Sequence, residues 1–234
     1  MKARHAVIVT AAGSSRRFNG QNQTSQKKEV LMLGDEPVLC RSIRPFLETE
    51  GLVAIVVTYR KGDVQAVWDM VSKLDLKGID LLLVEGGETR QESVFNGLKA
   101  LYDKRKQLDI SLVSIHDGAR PFLKGSKLVE SCLETADRVG GACPGLRVTD
   151  TLVRIDSEGL FCGRLSREGV CSVQTPQTFR FPDIYEAHCK AVPDKAYTDD
   201  TEIFMDWGGK VGFVPGDPDN RKITFAEDLK ESRT

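Results

Sequence analysis

His5-Ala6-Val7-Ile8-Val9-Thr10-Ala11-Ala12-Gly13-Ser14-Ser15-Arg16-Arg17 decides the fold class. Its apolar run does not alternate, so it reads as a strand covered on both faces, the habit of a parallel sheet. The run ends in small residues and then two guanidiniums. Small side chains let a ligand approach backbone N–H groups, and arginines supply fixed positive charge for phosphate oxygens. A purely structural turn is the competing reading of the same segment. Gly13 and Gly20 lack the following Lys-Ser/Thr of a P-loop, and no G-x-G-x-x-G is present.

Similar apolar runs recur at residues 53–58, 80–84 and 110–116. Between them, residues 38–50 repeat Leu39, Ile43, Phe46 and Leu47 at helical spacing, and residues 63–74 repeat Val64, Val67, Trp68 and Val71. Strands alternating with amphipathic helices predict an α/β fold around a mostly parallel sheet. Thr89-Arg90-Gln91-Glu92 has the spacing of a capping box and predicts a helix start just after Gly86-Gly87. A second box, Thr224-Phe225-Ala226-Glu227, predicts a short C-terminal helix. At about residue 146 the pattern changes: residues 146–155 read as a strand, 156–159 as a turn and 160–165 as a return strand. An isolated hairpin is marginal in water, so this one is expected to pack on something. We read one domain, 1–234, with an inserted hairpin arm at about 146–168.

Composition narrows the function classes. With 33 Lys+Arg against 34 Asp+Glu, the net charge of −1 leaves no basic excess for general nucleic-acid binding. No apolar run approaches the ~20 residues needed to cross a bilayer, and the N-terminus lacks a signal-peptide pattern. The six cysteines are dispersed with no C-x-x-C, which suits reduced thiols and a cytoplasmic protein.

In an open parallel sheet, ligands bind beyond the carboxyl ends of the strands. Three such places carry suitable residues: Thr10 to Arg17, with Lys27 and Lys28 following a polar stretch; Gly86 to Val94; and His116-Asp117-Gly118-Ala119-Arg120-Pro121. Two glycines before a helix can expose backbone to a flat base or make only a tight turn. Asp117 and Arg120 beside a glycine suit metal-phosphate work or an internal salt bridge.

Taken in order, these segments resemble the bacterial and plastid 2-C-methyl-D-erythritol 4-phosphate cytidylyltransferases of the non-mevalonate isoprenoid pathway. The resemblance covers essentially the whole chain. It rests on Ala11-Ala12-Gly13 with Arg17, Lys28, Gly86-Gly87-x-x-Arg90-x-x-Ser93-Val94, His116-Asp117-x-Ala119-Arg120-Pro121, Asp150-Thr151, Arg167, Gln174-Thr175-Pro176-Gln177, Thr198-Asp199-Asp200 and Lys222. It implies a Rossmann-like nucleotidyltransferase sheet whose hairpin arm interlocks two subunits into a homodimer. It further implies that Arg17, Lys28 and Asp117 are catalytic. Ala11, Ala12, Gly13, Gly87, Glu88, Ser93, Gly118 and Thr175 would bind CTP, and Thr151, Arg167, Thr198 and Lys222 the polyol phosphate. Thr151 and Arg167 would reach across from the partner's arm. Magnesium is expected through the CTP phosphates and not from a dedicated protein metal site. The chain departs from the family at Ser15 (usually glycine), Phe18 (usually Met), Lys27-Lys28-Glu29 (usually Pro-Lys-Gln), Glu88 (commonly Asp) and Gly118 (commonly Ala). Lys28 is preferred because Val30 and Leu31 then continue as the family does, with Lys27 the substitute.

The implied reaction is attack by the polyol phosphate on the α-phosphorus of CTP. That phosphate is already ionised, so no general base is required, and a structural hydrogen bond is expected of His116. A ribitol 5-phosphate cytidylyltransferase is the nearest alternative. A nicotinamide-dependent dehydrogenase is disfavoured by the missing glycines and by Thr58-Tyr59-Arg60 where an acidic residue would stand. A catalytically silent nucleotide sensor is disfavoured by joint retention of the charged set. Because the chain ends soon after its last expected helix, no fused second pathway enzyme is expected.

Overall fold

Register along the first strand sets the architecture. The computed structural model describes residues 3–13, 15, 18, 27–192 and 195–233. Strand β1 (His5–Thr10) lies between β4 (Leu52–Tyr59) and β6 (Leu112–Asp117), parallel to both, with Val7 opposite Ile55 and Ser114. Strand β5 (Asp80–Glu85) adds in parallel to β4. Alternate residues feed two layers. Ala6 and Ile8 join Val94, Leu98 and Leu101 of α3 (Arg90–Leu108) in one core. Val7 and Val9 join Leu39, Ile43 and Phe46 of α1 (Val38–Leu47) and Val67 of α2 (Val64–Val71) in the other. Each fully buried Val, Leu, Ile or Phe among these contributes about 1.5–3 kcal/mol. Gly97 lets α3 close on the sheet: a Cβ there would meet Ile8 Cγ2 at 2.9 Å.

The full sheet has eight strands in the order β10-β7-β11-β6-β1-β4-β5, with β12 (Val211–Pro215) beside β7 (Gly141–Arg147). The α/β, mostly parallel sheet expected from sequence therefore holds. Two antiparallel strands were not foreseen. β11 (Gln177–Arg180) runs between β6 and β7, and β10 (Cys171–Val173) extends β7. Helix α4 (Lys127–Val139) covers this half, while α5 (Asp183–Cys189) and α6 (Asp200–Asp206) lie after β11. A short β2 (Met32–Leu33) pairs with β3 (Glu36–Pro37) ahead of α1.

Three sequence expectations need correction. The strand expected at 146–155 is two elements: β7 belongs to the main sheet, and β8 (Leu152–Ile155) pairs with β9 (Phe161–Leu165) in a separate two-stranded sheet. The break falls at residues 148–151, where the chain leaves the main ladder. Strand β5 is an edge strand and only half-buried, although its sequence is as apolar as the buried strands. At the C-terminus, Asp228 accepts from the Thr224 and Phe225 N–H groups at 2.7 and 2.8 Å, opening a 3-10 segment, Ala226–Arg233, so the expected cap by Glu227 does not form.

Because β1, β4, β5 and β6 run together, their carboxyl ends share one edge. Thr10 stands opposite both Thr58 and Asp117, and Tyr59 opposite Glu85. The segments after these strands are brought side by side there.

Candidate active site

At this edge three cations converge on one carboxylate. Asp117 ends β6 and is 5% exposed. Lys222 Nζ stands 2.9 Å and Arg120 Nε 3.2 Å from its Oδ2, while Arg90 Nε stands 3.7 Å from Oδ1. Burial acts to raise the Asp117 pKa, but Lys222, Arg90 and Arg120 together hold it well below the ordinary carboxylate range. The charged form is thus built in, and its Oδ1 face is the less occupied.

The three cations come from distant places. Arg90 opens α3, whose capping box is present as expected: Thr89 Oγ1 accepts from Glu92 N–H at 3.1 Å, and Glu92 Oε2 accepts from Thr89 N–H at 3.2 Å. Arg120 lies one turn past Asp117 and donates to the Asn220 carbonyl at 2.9 Å. That bond, with Ile223 N–H donating to the Ala119 carbonyl at 2.8 Å, draws residues 220–223 onto the β6 end and brings Lys222 to Asp117. Buried Gln174 and Asn220 brace the same loop: Gln174 Nε2 donates to the Asp217 carbonyl at 2.8 Å and Asn220 Nδ2 to the Thr175 carbonyl at 2.8 Å. Sequence reasoning gave Arg90, Asn220 and Gln174 no role, although the first and last lie within its quoted motifs.

Thr175 sits beneath Asp117, 4% exposed. Its Oγ1 accepts from the Asp117 N–H at 3.1 Å and lies 3.0 Å from His116 Nδ1. His116 is fully buried with its ring edge-on to Phe46, and burial lowers its pKa to about 4. Its contact with Thr175 is the structural hydrogen bond expected of it, and burial disfavours its charged form.

The small-residue turns form a wall beside the cluster. Gly86 lies against the first loop, so that a Cβ on it would stand 2.4 Å from Ala12 Cβ and 2.7 Å from Ser93 Oγ. Ser93 Oγ accepts from the Gly87 N–H at 3.1 Å and donates to the Thr89 carbonyl at 2.9 Å, which pins the turn. Ala11 N–H is likewise spent on the Thr58 carbonyl at 3.0 Å. Gly118 is locked on both sides, its N–H on Thr10 O at 3.0 Å and its carbonyl accepting from Ser42 Oγ at 3.1 Å. Glu88 is exposed, its N–H donating to Glu92 Oε2 at 2.7 Å. Gly13 is exposed, and a Cβ on it would have nothing within 4 Å.

Lys28 opens the 3-10 turn Lys28–Val30, and its Nζ donates to the Ile223 carbonyl at 2.8 Å, one residue from Lys222. Lys27 turns away and pairs with Asp63. Arg17 lies outside the described residues. Thr198, just before α6, donates through Oγ1 to Glu202 Oε2 at 3.2 Å. Thr151 and Arg167 are exposed near the β8–β9 hairpin, where Arg167 bonds the Thr149 carbonyl and no group of the Asp117 cluster. A groove of about 550 Å³ between α4 and β12, lined by Leu128, Thr135, Phe213 and Val214, contains none of these residues.

Residues 5–233 match the family model described as IspD, 2-C-methyl-D-erythritol 4-phosphate cytidylyltransferase. The chain is 35% identical to the 2-C-methyl-D-erythritol 4-phosphate cytidylyltransferase of Clostridium novyi (strain NT), over 97% of this chain and 94% of that protein. It is 37% identical to the bifunctional enzyme IspD/IspF of Bartonella henselae, over 96% of this chain and 54% of that protein. The chain thus spans about half the length of the bifunctional relatives it matches. The crystal structure of 4-diphosphocytidyl-2C-methyl-D-erythritol synthase from Anaerococcus prevotii DSM 20548 superposes with a TM-score of 0.80 at 28% identity, covering 98% of this chain and 94% of that one.

Proposed function

The chain belongs to the 2-C-methyl-D-erythritol 4-phosphate cytidylyltransferases, nucleotidyltransferases of isoprenoid biosynthesis, and on that premise we propose that it transfers a cytidylyl group from CTP to 2-C-methyl-D-erythritol 4-phosphate. A phosphate oxygen of the polyol attacks the α-phosphorus of CTP in line. The new P–O bond forms as the bond to the β-phosphate oxygen breaks, and pyrophosphate leaves with that electron pair. The products are 4-diphosphocytidyl-2-C-methyl-D-erythritol and pyrophosphate.

The observation that carries this reading is the convergence of Lys222, Arg120 and Arg90 on Asp117 at the strand ends, with Lys28 anchored one residue from Lys222. Two anions must meet here, so fixed cations that need no reorganisation are the main catalytic resource. Lys28 and Arg17 would grip the triphosphate, and Lys222 and Thr198 the polyol phosphate. With the Ala11 and Gly87 N–H groups already spent, those two residues are left with their carbonyls to offer. Carbonyls suit the exocyclic amine of cytosine, and Ala12, Gly13, Glu88 and Ser93 would complete that wall. Gly118 would contribute closeness, having no side chain and no free N–H, with Thr175 fixing the loop under the ribose.

A divalent cation, expected to be Mg2+, would be held mainly by the CTP phosphates, with Asp117, whose Oδ1 faces Arg90 at 3.7 Å, as the carboxylate that would join them. Among the described residues, no group of three or more His, Cys, Asp or Glu makes a protein-only cage. Bound there, it would neutralise phosphate charge.

The polyol site would be completed by Thr151 and Arg167 of a second subunit, in a homodimer formed through the arm. Supporting this, the hairpin is a two-stranded sheet of its own whose Ile155, Leu160 and Phe161 are 61%, 61% and 76% exposed. A bare hairpin with such a surface is marginal in water. We place the protein in the cytoplasm, as unpaired cysteines suit a reducing compartment. Among the described residues no helix is long and apolar enough to cross a membrane.

Pyrophosphate release from CTP tests the reading, assayed against a panel of polyol phosphates. Methylerythritol phosphate should be the preferred acceptor. Equal or better turnover with ribitol 5-phosphate would favour the alternative, which neither the family match nor the named relatives support.

A further inference from the structure

A line of charged side chains runs from Asp117 into the protein interior. Arg90 Nε faces Asp117 Oδ1 at 3.7 Å, and Arg90 Nη1 stands 2.7 Å from Asp200 Oδ2. On its far side, Asp200 Oδ1 stands 3.2 Å from His188 Nε2. Asp200 is fully buried and His188 is 5% exposed. Such a buried carboxylate costs several kcal/mol in lost hydration and persists only with good partners. Burial acts to raise the Asp200 pKa, and Arg90 with His188 pulls it below the ordinary range.

The surroundings leave Asp200 little freedom. Its N–H donates to Gln177 Oε1 at 3.1 Å, and Gln177 Nε2 donates to Asp199 Oδ2 at 2.9 Å, so the start of α6 is clipped to β11. His188, in the last turn of α5, lies flat against Phe95 of α3, ring centroids 6.0 Å apart and planes at 13°. The imidazole is thereby wedged between two helices with Nε2 3.2 Å from Asp200 Oδ1. Arg90 sits at the N-terminus of α3, where the helix dipole disfavours a cation. Two carboxylates, one on each side, hold it there. Removing the outermost support would let Asp200 relax away, and Arg90 with it.

We infer that His188 is a positioning residue, which acts through Asp200 and Arg90 to hold the Asp117 carboxylate in register with the reacting phosphates. It touches no substrate. The inference deepens the cytidylyltransferase reading, and rests on it for the kinetic half of its test alone.

The experiment uses the full-length chain with His188→Phe, His188→Gln, Asp200→Asn and the His188→Phe/Asp200→Asn pair. Two readouts are taken below the melting temperature of every variant: hydrogen exchange of the Arg90 Nε–H by NMR, and kcat and KM for pyrophosphate release. Phe keeps the ring stacked on Phe95 but has no N–H for Asp200. It should speed Arg90 exchange and lower kcat by about ten- to hundredfold, as small misplacements at a reacting centre do, with KM for CTP within about threefold of the parent. Gln, which can present an amide N–H to Asp200, should restore both readouts. The pair should be no worse than Asp200→Asn alone, since both changes act on one chain of contacts. Should His188→Phe fail to fold, His188→Asn, too short to reach Asp200, replaces it with the same expected losses. A folded variant with parental Arg90 exchange and kcat would overturn the inference, as would Gln behaving like Phe or additive losses in the pair. If the parent chain released no pyrophosphate at all, the functional reading would fall while the exchange measurement still decided the positioning role.

Discussion

Lys27 and Lys28 are neighbours in the chain, yet their ammonium groups diverge: Lys27 pairs with Asp63, while Lys28 Nζ donates to the Ile223 carbonyl at 2.8 Å. Ile223 adjoins Lys222, which contacts Asp117. Asp63 precedes α2, on another part of the surface. Burial, with Arg60 nearby, lowers the Lys27 pKa. Of the two lysines the motif allowed, only Lys28 is directed at the proposed reacting centre.

Lys28→Ala should therefore lower kcat about a hundredfold, the effect of losing one group that stabilises transition-state charge, at roughly 3 kcal/mol. Lys27→Ala should leave kcat within about threefold and lower the melting temperature slightly. Pyrophosphate release and a thermal melt on both variants check this, and the reverse ranking of the two kcat values would assign catalysis to Lys27.

Gly86 is the contact between two loops. An added methyl would stand 2.4 Å from Ala12 Cβ, so Gly86→Ala must push the first loop from the third. We expect about 1–3 kcal/mol of lost stability, as for other overpacked sites, and a raised KM for CTP. An unchanged KM in Gly86→Ala, with unfolding as in the parent, would show that this contact does not shape the pocket.

Buried neutral histidines set an acid limb to stability. Burial lowers both His5 and His116 from 6.5 to about 4. Between those values the unfolded chain binds protons that the folded chain refuses. Their contribution is thus present above about pH 6.5 and lost as pH falls toward 4, up to ~3 kcal/mol for a group as buried as His116. The depressed carboxylates Asp117 and Asp200 act in a different window, losing their contribution below their ordinary value of 3.8. Urea unfolding from pH 7 to 4 should show this slope, and His116→Asn, which can still reach Thr175, should flatten it. A parent slope of zero across that range would refute the assignment.

Subunit mixing tests the arm. In a two-fold dimer with Lys28 in cis and Arg167 in trans, Lys28→Ala and Arg167→Ala homodimers each lack one group at every site. Random exchange makes half of the dimers hybrids, each with one intact site, and should restore roughly a quarter of parental activity. Verified exchange without recovery would place Arg167 in cis or outside the site.

Local pattern sufficed for much of this protein. Unbroken apolar runs marked β1, β4, β5 and β6 because a strand buried on both faces must be apolar throughout. Thr89 and Glu92 marked the start of α3 because a helix leaves N–H groups that only nearby side chains can reach. Asp117, Lys28 and Lys222 could be named because strand ends are where ligands bind and because the motifs ran in the family's order. These signals live within a few residues of one another.

What the tertiary structure decided involves partners far apart in sequence. That Arg90, Arg120 and Lys222 share Asp117 depends on bringing residues 90, 117 and 222 to one sheet edge, through a loop braced by Gln174 and Asn220. The insertion of β11 between β6 and β7, and the split of the 146–155 segment into β7 and β8, follow from which ladder each backbone joins. The half-burial of β5 follows from its place at the edge, which its composition does not record. The direction of the Lys27 and Lys28 side chains is of the same kind. A side-chain period tells a segment what it is, whereas its neighbours are chosen by long-range pairing and by the need to satisfy buried charge and backbone.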